Sequence, residues 1–135
     1  NKIIEKKILS FKPSIILSHY SHDTNNDHRI VSRSVEMSTR PLNVFDINTF
    51  SFEILSSTEW SSLSENIFKA NCFVDINSVM EKKIESIKSY EKEMRNFPHS
   101  RSIESVQALI SLRGSAVGFR AAEGFMLNRM LRSID

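Results

Sequence analysis

Glycine is nearly missing from this chain: of 135 residues only Gly114, Gly118 and Gly124 are glycine, all in the last quarter. The first 113 residues therefore hold neither of the glycine-rich loops that cradle nucleotide phosphates. Cysteine is represented by Cys72 alone, which excludes an internal disulfide and suits a reducing cytoplasm. Long apolar runs are lacking too. Ile15-Ile16-Leu17 is as long as any, far short of a membrane span or a signal-peptide core, so no membrane partner is expected. Nor is one charge in surplus: eighteen Lys and Arg against sixteen Asp and Glu leave a formal +2 dispersed along the chain, and nucleic acid is not an expected partner. With 40% hydrophobic residues the chain has ordinary material for one globular core, which sets disorder aside.

The chain opens at Asn1 without an initiator Met, inside a Lys-rich amphipathic stretch of Ile3, Ile4, Ile8 and Leu9 that reads as a helix already under way. That opening suggests a piece of a longer protein. Pro13 ends the pattern, and Ser14 to Ser18 has the short apolar composition of a strand buried in a parallel sheet. Residues 19 to 28 are almost wholly polar and form a loop at that strand's carboxyl end. Asn25, Asn26 or Asp27 can cap the next helix, whose inner face is marked by Ile30, Val31, Ser34, Val35 and Ser38 until Pro41 stops it.

Phe50, Phe52 and Ile54 alternate with Ser51 and Glu53, predicting a strand with the aromatic face packed and the Ser and Glu face wet. Residues 56 to 70 show no period and are expected as loop. Cys72, Val74 and Ile76 predict a third strand, and Ser78 with Glu81 a capping box opening a helix through Met80, Ile84, Ile87 and Met94 to Arg95. After Pro98 the spacing predicts one helix through Ile103, Val106, Leu109 and Ile110. A second is expected through Val117, Ala121, Phe125 and Leu131, with Gly114 and Gly118 marking a bend or close packing between the two.

The sequence Asp23-x-Asn25-x-Asp27-His28 places two carboxylates and an imidazole within six residues, at the mouth of a predicted sheet, where open α/β folds bind their ligands. From the residues alone this is either a metal-side cluster or a turn whose Asp and Asn groups cap the next helix. A three-imidazole site of His19, His22 and His28 is a further alternative.

The stretch from Ser18 to Val31, containing His22-Asp23-Thr24-Asn25-Asn26-Asp27-His28, resembles the second metal motif of the LmbE-like, or PIG-L, zinc N-deacetylases. Four more blocks resemble the family in the same order: Ser56-Ser57-Thr58-Glu59-Trp60, the helix around Lys82 to Glu91, Arg101-Ser102 through Arg113-Gly114-Ser115, and Ala122-Glu123-Gly124-Phe125. The resemblance implies a Rossmann-like α/β layered fold, of which residues 1 to 135 would be the carboxyl-terminal portion of a single domain. It implies zinc, or another divalent metal, held by a His and an Asp of an early His-Pro-Asp-Asp motif and by His28.

Asn25 and Asp27 would be catalytic residues, Asp27 orienting a neighbouring group and Asn25 donating to an oxyanion where some members carry His. His19, Asp23, Glu59 and Trp60 would lie on the substrate side. The activity implied is hydrolysis of an acetamide on an N-acetylated amino sugar or conjugate, releasing acetate and an amine. No His-Pro dipeptide occurs in this sequence. Two ligands and the general base would therefore come from an amino-terminal half that is the first expected partner, and the chain alone is expected to be inactive. Assembly as a homo-oligomer is expected as well. The alternative reading is a non-catalytic carbohydrate-binding or subunit-interaction member of the family.

Overall fold

The computed structural model describes residues 2–40, 46–61 and 66–132. They form an α/β fold whose mixed sheet has the strand order β1 (Ile15–His19), β2 (Asn48–Phe52), β4 (Ala122–Arg129), β3 (Cys72–Asp75). The chain divides into two compact units, residues 1–69 with 125–135, and residues 70–124.

In the first unit, helix α1 (Lys2–Phe11) is the expected amphipathic helix, with Ile8 as its buried residue. It ends where Lys12 turns to φ 51° and donates its backbone N–H to the Ile8 carbonyl at 2.8 Å, directly before Pro13. Strand β1 (Ile15–His19) follows, then α2 (Asn26–Ser38) and strand β2 (Asn48–Phe52). β1 and β2 run parallel, with Ser18 opposite Ser51 and His19 opposite Phe52, so the three elements make one βαβ unit. The parallel pairing was expected. The burial of β1 was not, because β1 lies at the sheet edge and leaves Ile15 and Leu17 exposed while Ser18 is buried.

The same inversion recurs twice. On α2 the buried residues are Ser32, Ser34, Val35 and Ser38, whereas Ile30 and Val31 are exposed. On β2 the buried residues are Thr49 and Ser51, the face expected to be wet, and Phe50 and Phe52 are only half-buried. Small hydroxyl side chains allow helix and sheet to approach closely, and some of their oxygens find local partners: Ser51 Oγ accepts from Asn128 Nδ2 at 2.9 Å, and Thr39 Oγ1 donates to the Val35 carbonyl at 2.9 Å, while Ser18 and Ser38 Oγ have none among the described residues. Pro41, expected to stop α2, lies outside the described residues; within them α2 closes at Thr39, whose N–H donates to the Val35 carbonyl.

The second unit carries strand β3 (Cys72–Asp75), helix α3 (Met80–Lys88), helix α4 (Ile103–Ser115) and the first residues of strand β4 (Ala122–Arg129). Ile76, Ile110 and Ala121 form its core, with Met80, Ile84 and Val106 packed on them. Two helix expectations are corrected. Ser78 lies inside a short 3-10 turn, Asn77–Val79, so the N-cap of α3 is Val79 and no side chain caps it. The helix also stops at Lys88 instead of Arg95; Tyr90 and Met94 lie in successive turns, with Met94 N–H donating to the Tyr90 carbonyl at 3.2 Å.

The expected last helix is strand β4, whose second half pairs antiparallel with β2, Phe52 facing Phe125. Val117, Ala121 and Phe125 stand four residues apart, and a spacing of four places residues on one face in a strand as well as in a helix. Of the bend or close packing expected at Gly114 and Gly118 between two helices, Gly114 shows close packing, against the chain after α4, where a Cβ would lie 2.7 Å from the Phe119 carbonyl oxygen, and Gly118 has φ 80° with open space around it.

Candidate functional site

Asp23 is the centre of the polar cluster. Its side chain is 1% exposed, yet both carboxylate oxygens are engaged. Oδ1 accepts the Asn25 backbone N–H at 2.8 Å; Oδ2 accepts the Thr58 hydroxyl at 2.7 Å and the Ser57 hydroxyl at 3.1 Å. Burial works against the charged form, but the hydrogen bonds from Thr58, Asn25 and Ser57 and the nearby His28 outweigh it, and the carboxyl is held below the ordinary value.

His28 sits in the first turn of α2, with Nδ1 3.2 Å from Asp23 Oδ1 and the side chain 18% exposed. That nitrogen is buried and makes no hydrogen bond, although it is within ion-pair reach of the carboxylate. The accessible part of the ring therefore lies away from Nδ1. Against it stacks His19, at the carboxyl end of β1, with ring centroids 4.3 Å apart and planes at 22°; the Phe52 ring lies 4.9 Å from His19. Burial chiefly, then the neighbouring His28, hold His19 below its ordinary pKa, with Asp23 pulling the other way. A histidine so placed stays neutral at neutral pH, its lone pair available.

Local structure explains how the loop between β1 and α2 is fixed. Arg29 reaches back and donates through Nη1 to the carbonyls of Asp23 at 2.7 Å and Thr24 at 3.0 Å, and Thr24 Oγ1 donates to the Ser57 carbonyl at 2.8 Å. Arg29 thus clamps backbone and not a carboxylate. Asn25 is the N-cap of α2, its Oδ1 accepting the Asp27 N–H at 2.9 Å, a contact worth about 1 kcal/mol in helices generally. Both Asn25 and Asp27 are exposed. The cap occupies Asn25's oxygen and leaves its amide N–H groups without a partner among the described residues.

The second block folds beneath this loop. Ser56 takes φ 71° in a tight turn closed by Glu59, whose carboxylate accepts the backbone N–H groups of Ser56 and Ser57. Glu59 therefore shapes the turn that aims Ser57 and Thr58 at Asp23. Trp60 follows in a 3-10 turn and is 58% exposed. Sequence reasoning singled out Glu59 and Trp60 and passed over Ser57 and Thr58, the two that touch Asp23. The clue was a buried carboxylate's need for donors.

His22 stands apart, its Nδ1 3.0 Å from Ser21 Oγ and its ring beside Tyr20. The three-imidazole site is not formed, and the described residues hold no group of three His, Cys, Asp or Glu arranged to bind a metal. No helix among them is long and apolar enough to cross a membrane.

No protein-family model matches the chain, and no curated protein matches it. Among solved structures the chain is similar to the crystal structure of the conserved protein TT1542 from Thermus thermophilus, with a TM-score of 0.69 at 14% sequence identity. The likeness covers 98% of this chain and 59% of that one, so the chain spans well under two thirds of its structural neighbour. At that identity the shared property is the fold: a Rossmann-like α/β sheet with flanking helices.

Proposed function

We propose that this chain is part of a zinc-dependent N-deacetylase of the LmbE-like kind, acting on an acetamide of an N-acetylated amino sugar or its conjugate, with His28 as one metal ligand. One observation carries the reading. The two sequence blocks that most resemble that family, separated by some 34 residues, converge on one buried atom group, the Asp23 carboxylate, which Ser57 and Thr58 hold from one side while His28 faces it from the other. Metal-binding imidazoles are characteristically backed by a carboxylate that orients the ring and raises its basicity. The His28 Nδ1, 3.2 Å from Asp23 Oδ1 with the accessible part of the ring turned elsewhere, is placed for such a pairing.

The fit extends to one ligand. The remaining donors and the base belong, in this reading, to a His-Pro-Asp-Asp segment supplied by an amino-terminal partner half. When bound, the metal would supply Lewis acidity and a water acidified to near neutrality. This chain's residues do the rest. Asp23 stands at ion-pair distance from the His28 ring, and neutral His19 stacks on that ring. The Asn25 amide, whose oxygen is occupied by the helix cap, offers its N–H groups to a developing oxyanion. Exposed Trp60 offers a face to a sugar ring.

The test is made on the protein that includes the segment preceding Asn1. Zinc near one equivalent and release of acetate from an N-acetylglucosamine conjugate are expected, with both lost in His28→Ala. Undiminished zinc in that variant sinks the ligand assignment. Sugar binding without metal or turnover would favour the non-catalytic reading, which the exposure of Trp60 also suits.

A further inference from the structure

A second polar site lies in the first unit, away from Asp23. A cavity of about 240 Å³ is lined by Ser18, Ser32, Thr39, Thr49 and Val35, with Glu36, Asn128 and Arg129 completing its wall. The first five are all more than nine-tenths buried. Most of its polar groups are already spoken for: Thr39 Oγ1 donates to the Val35 carbonyl, Asn128 Nδ2 donates to Ser51, and Arg129 Nη2 donates to the Thr39 carbonyl. Two are not. Arg129 Nε and Ser18 Oγ are buried without a hydrogen-bond partner.

Charge decides what kind of guest this favours. Arg129 forms no ion pair with a carboxylate among the described residues. The one acidic group in the wall, Glu36, is half-exposed and paired with Arg33 at 3.1 Å, so it does not neutralise the guanidinium. A buried N–H on a permanently charged group is among the costliest donors to leave unmet. A neutral polyol would satisfy the hydrogen bonds but not the charge; an oxyanion satisfies both. The volume, roughly eight times that of a water molecule, admits a small acid and excludes a nucleotide or a drug-sized ligand.

We propose that this cavity is a binding site for a compact oxyanion, a phosphate or carboxylate group, held by the Arg129 Nε–H and the Ser18 hydroxyl. The proposal is independent of the deacetylase reading, because the two donors it uses, Arg129 Nε–H and the Ser18 hydroxyl, make no hydrogen bond to Asp23 or His28. The full chain is titrated at constant ionic strength with inorganic phosphate and, separately, with acetate, following by NMR the Arg129 Hε resonance and, in all variants, the backbone amide resonances of residues 18 and 49. A saturable shift with either anion is expected, and the responding anion identifies the class. Affinity should fall about tenfold or more in Ser18→Ala and in Arg129→Lys, which keeps the charge but loses the Nε donor. Linear drift with both anions, an equal response to glycerol, or unchanged affinity in Ser18→Ala would overturn the assignment and leave water as the sole occupant.

Discussion

Asp23→Ala is expected to be the most damaging single change in the first unit, costing about 3–5 kcal/mol by removing one partner of a buried charged network. The substitution strands the Thr58 hydroxyl and the Asn25 N–H, leaves the Ser57 hydroxyl only the Ile54 carbonyl, and leaves His28 facing a void. Asp23→Asn keeps the shape and some of the bonds but brings an amide group where three donors converge, so an intermediate loss is expected. Urea unfolding at neutral pH measures both; a loss under about 1 kcal/mol for the alanine variant would refute the hub.

The pH dependence carries its own sign. The folded carboxyl lies below the ordinary value, so the charged form stabilises the fold fully above the unfolded value of about 4 and progressively less as pH falls through the folded one. Wild type and Asp23→Asn should therefore differ most at neutral pH and converge in acid. On the deacetylase proposal, the same asparagine variant of the protein that includes the preceding segment should bind zinc about 10–100-fold more weakly, because the imidazole would lose the carboxylate beside it.

The second large effect is expected from Gly114→Ala in α4. Considered as helix propensity alone, the change should stabilise by about 1 kcal/mol. The surroundings reverse that sign. An added Cβ would stand 2.7 Å from the Phe119 carbonyl oxygen and 3.0 Å and 3.1 Å from the Ala121 backbone N and Cα, atoms that cannot rotate aside. The Phe119 N–H is itself bonded to the Gly114 carbonyl at 2.9 Å, and the Ala121 carbonyl accepts from Ile76 N–H at 3.1 Å, so moving the segment breaks both.

Overpacking of this kind costs about 1–3 kcal/mol and more where backbone must shift, which leaves a net loss of about 2 kcal/mol. Gly118→Ala makes the contrast. Nothing surrounds its Cβ, but φ +80° is strained for alanine, and about 1 kcal/mol is expected from that alone. Equal urea midpoints for Gly114→Ala and wild type would show that helix and chain do not touch there.

Legibility differed by mechanism. Elements whose apolar spacing admits a single period were readable: α1, the βαβ order of β1, α2 and β2, and helix α4, while the cap of α2 was narrowed to Asn25, Asn26 or Asp27 and is Asn25. Strand β4 was not, since residues four apart satisfy both periods and only its pairing with β2 decides. Nor was the inward face of α2 and β2, because hydroxyl side chains read as wet and here are buried. In the site the same bias hid Ser57 and Thr58, while the neighbouring Glu59 and Trp60 drew attention by their chemistry. His19, Asp23 and His28 were named in advance and do come together; Asn25 and Asp27 lie at the start of the same helix, exposed.

The hydroxyl lining between α2 and the sheet also sets how the fold responds to heat and cold. Hydrating hydrocarbon raises the heat capacity of an unfolding chain and hydrating polar surface lowers it. An interior built around Ser18, Ser32, Ser34, Ser38, Thr49 and Ser51 therefore exposes a mixed surface, and calorimetry should return an increment below the usual value of about 12–15 cal/mol/K per residue. Its stability curve is correspondingly shallow, trading a high summit for breadth, so that a modest margin is kept over a wide span of temperature.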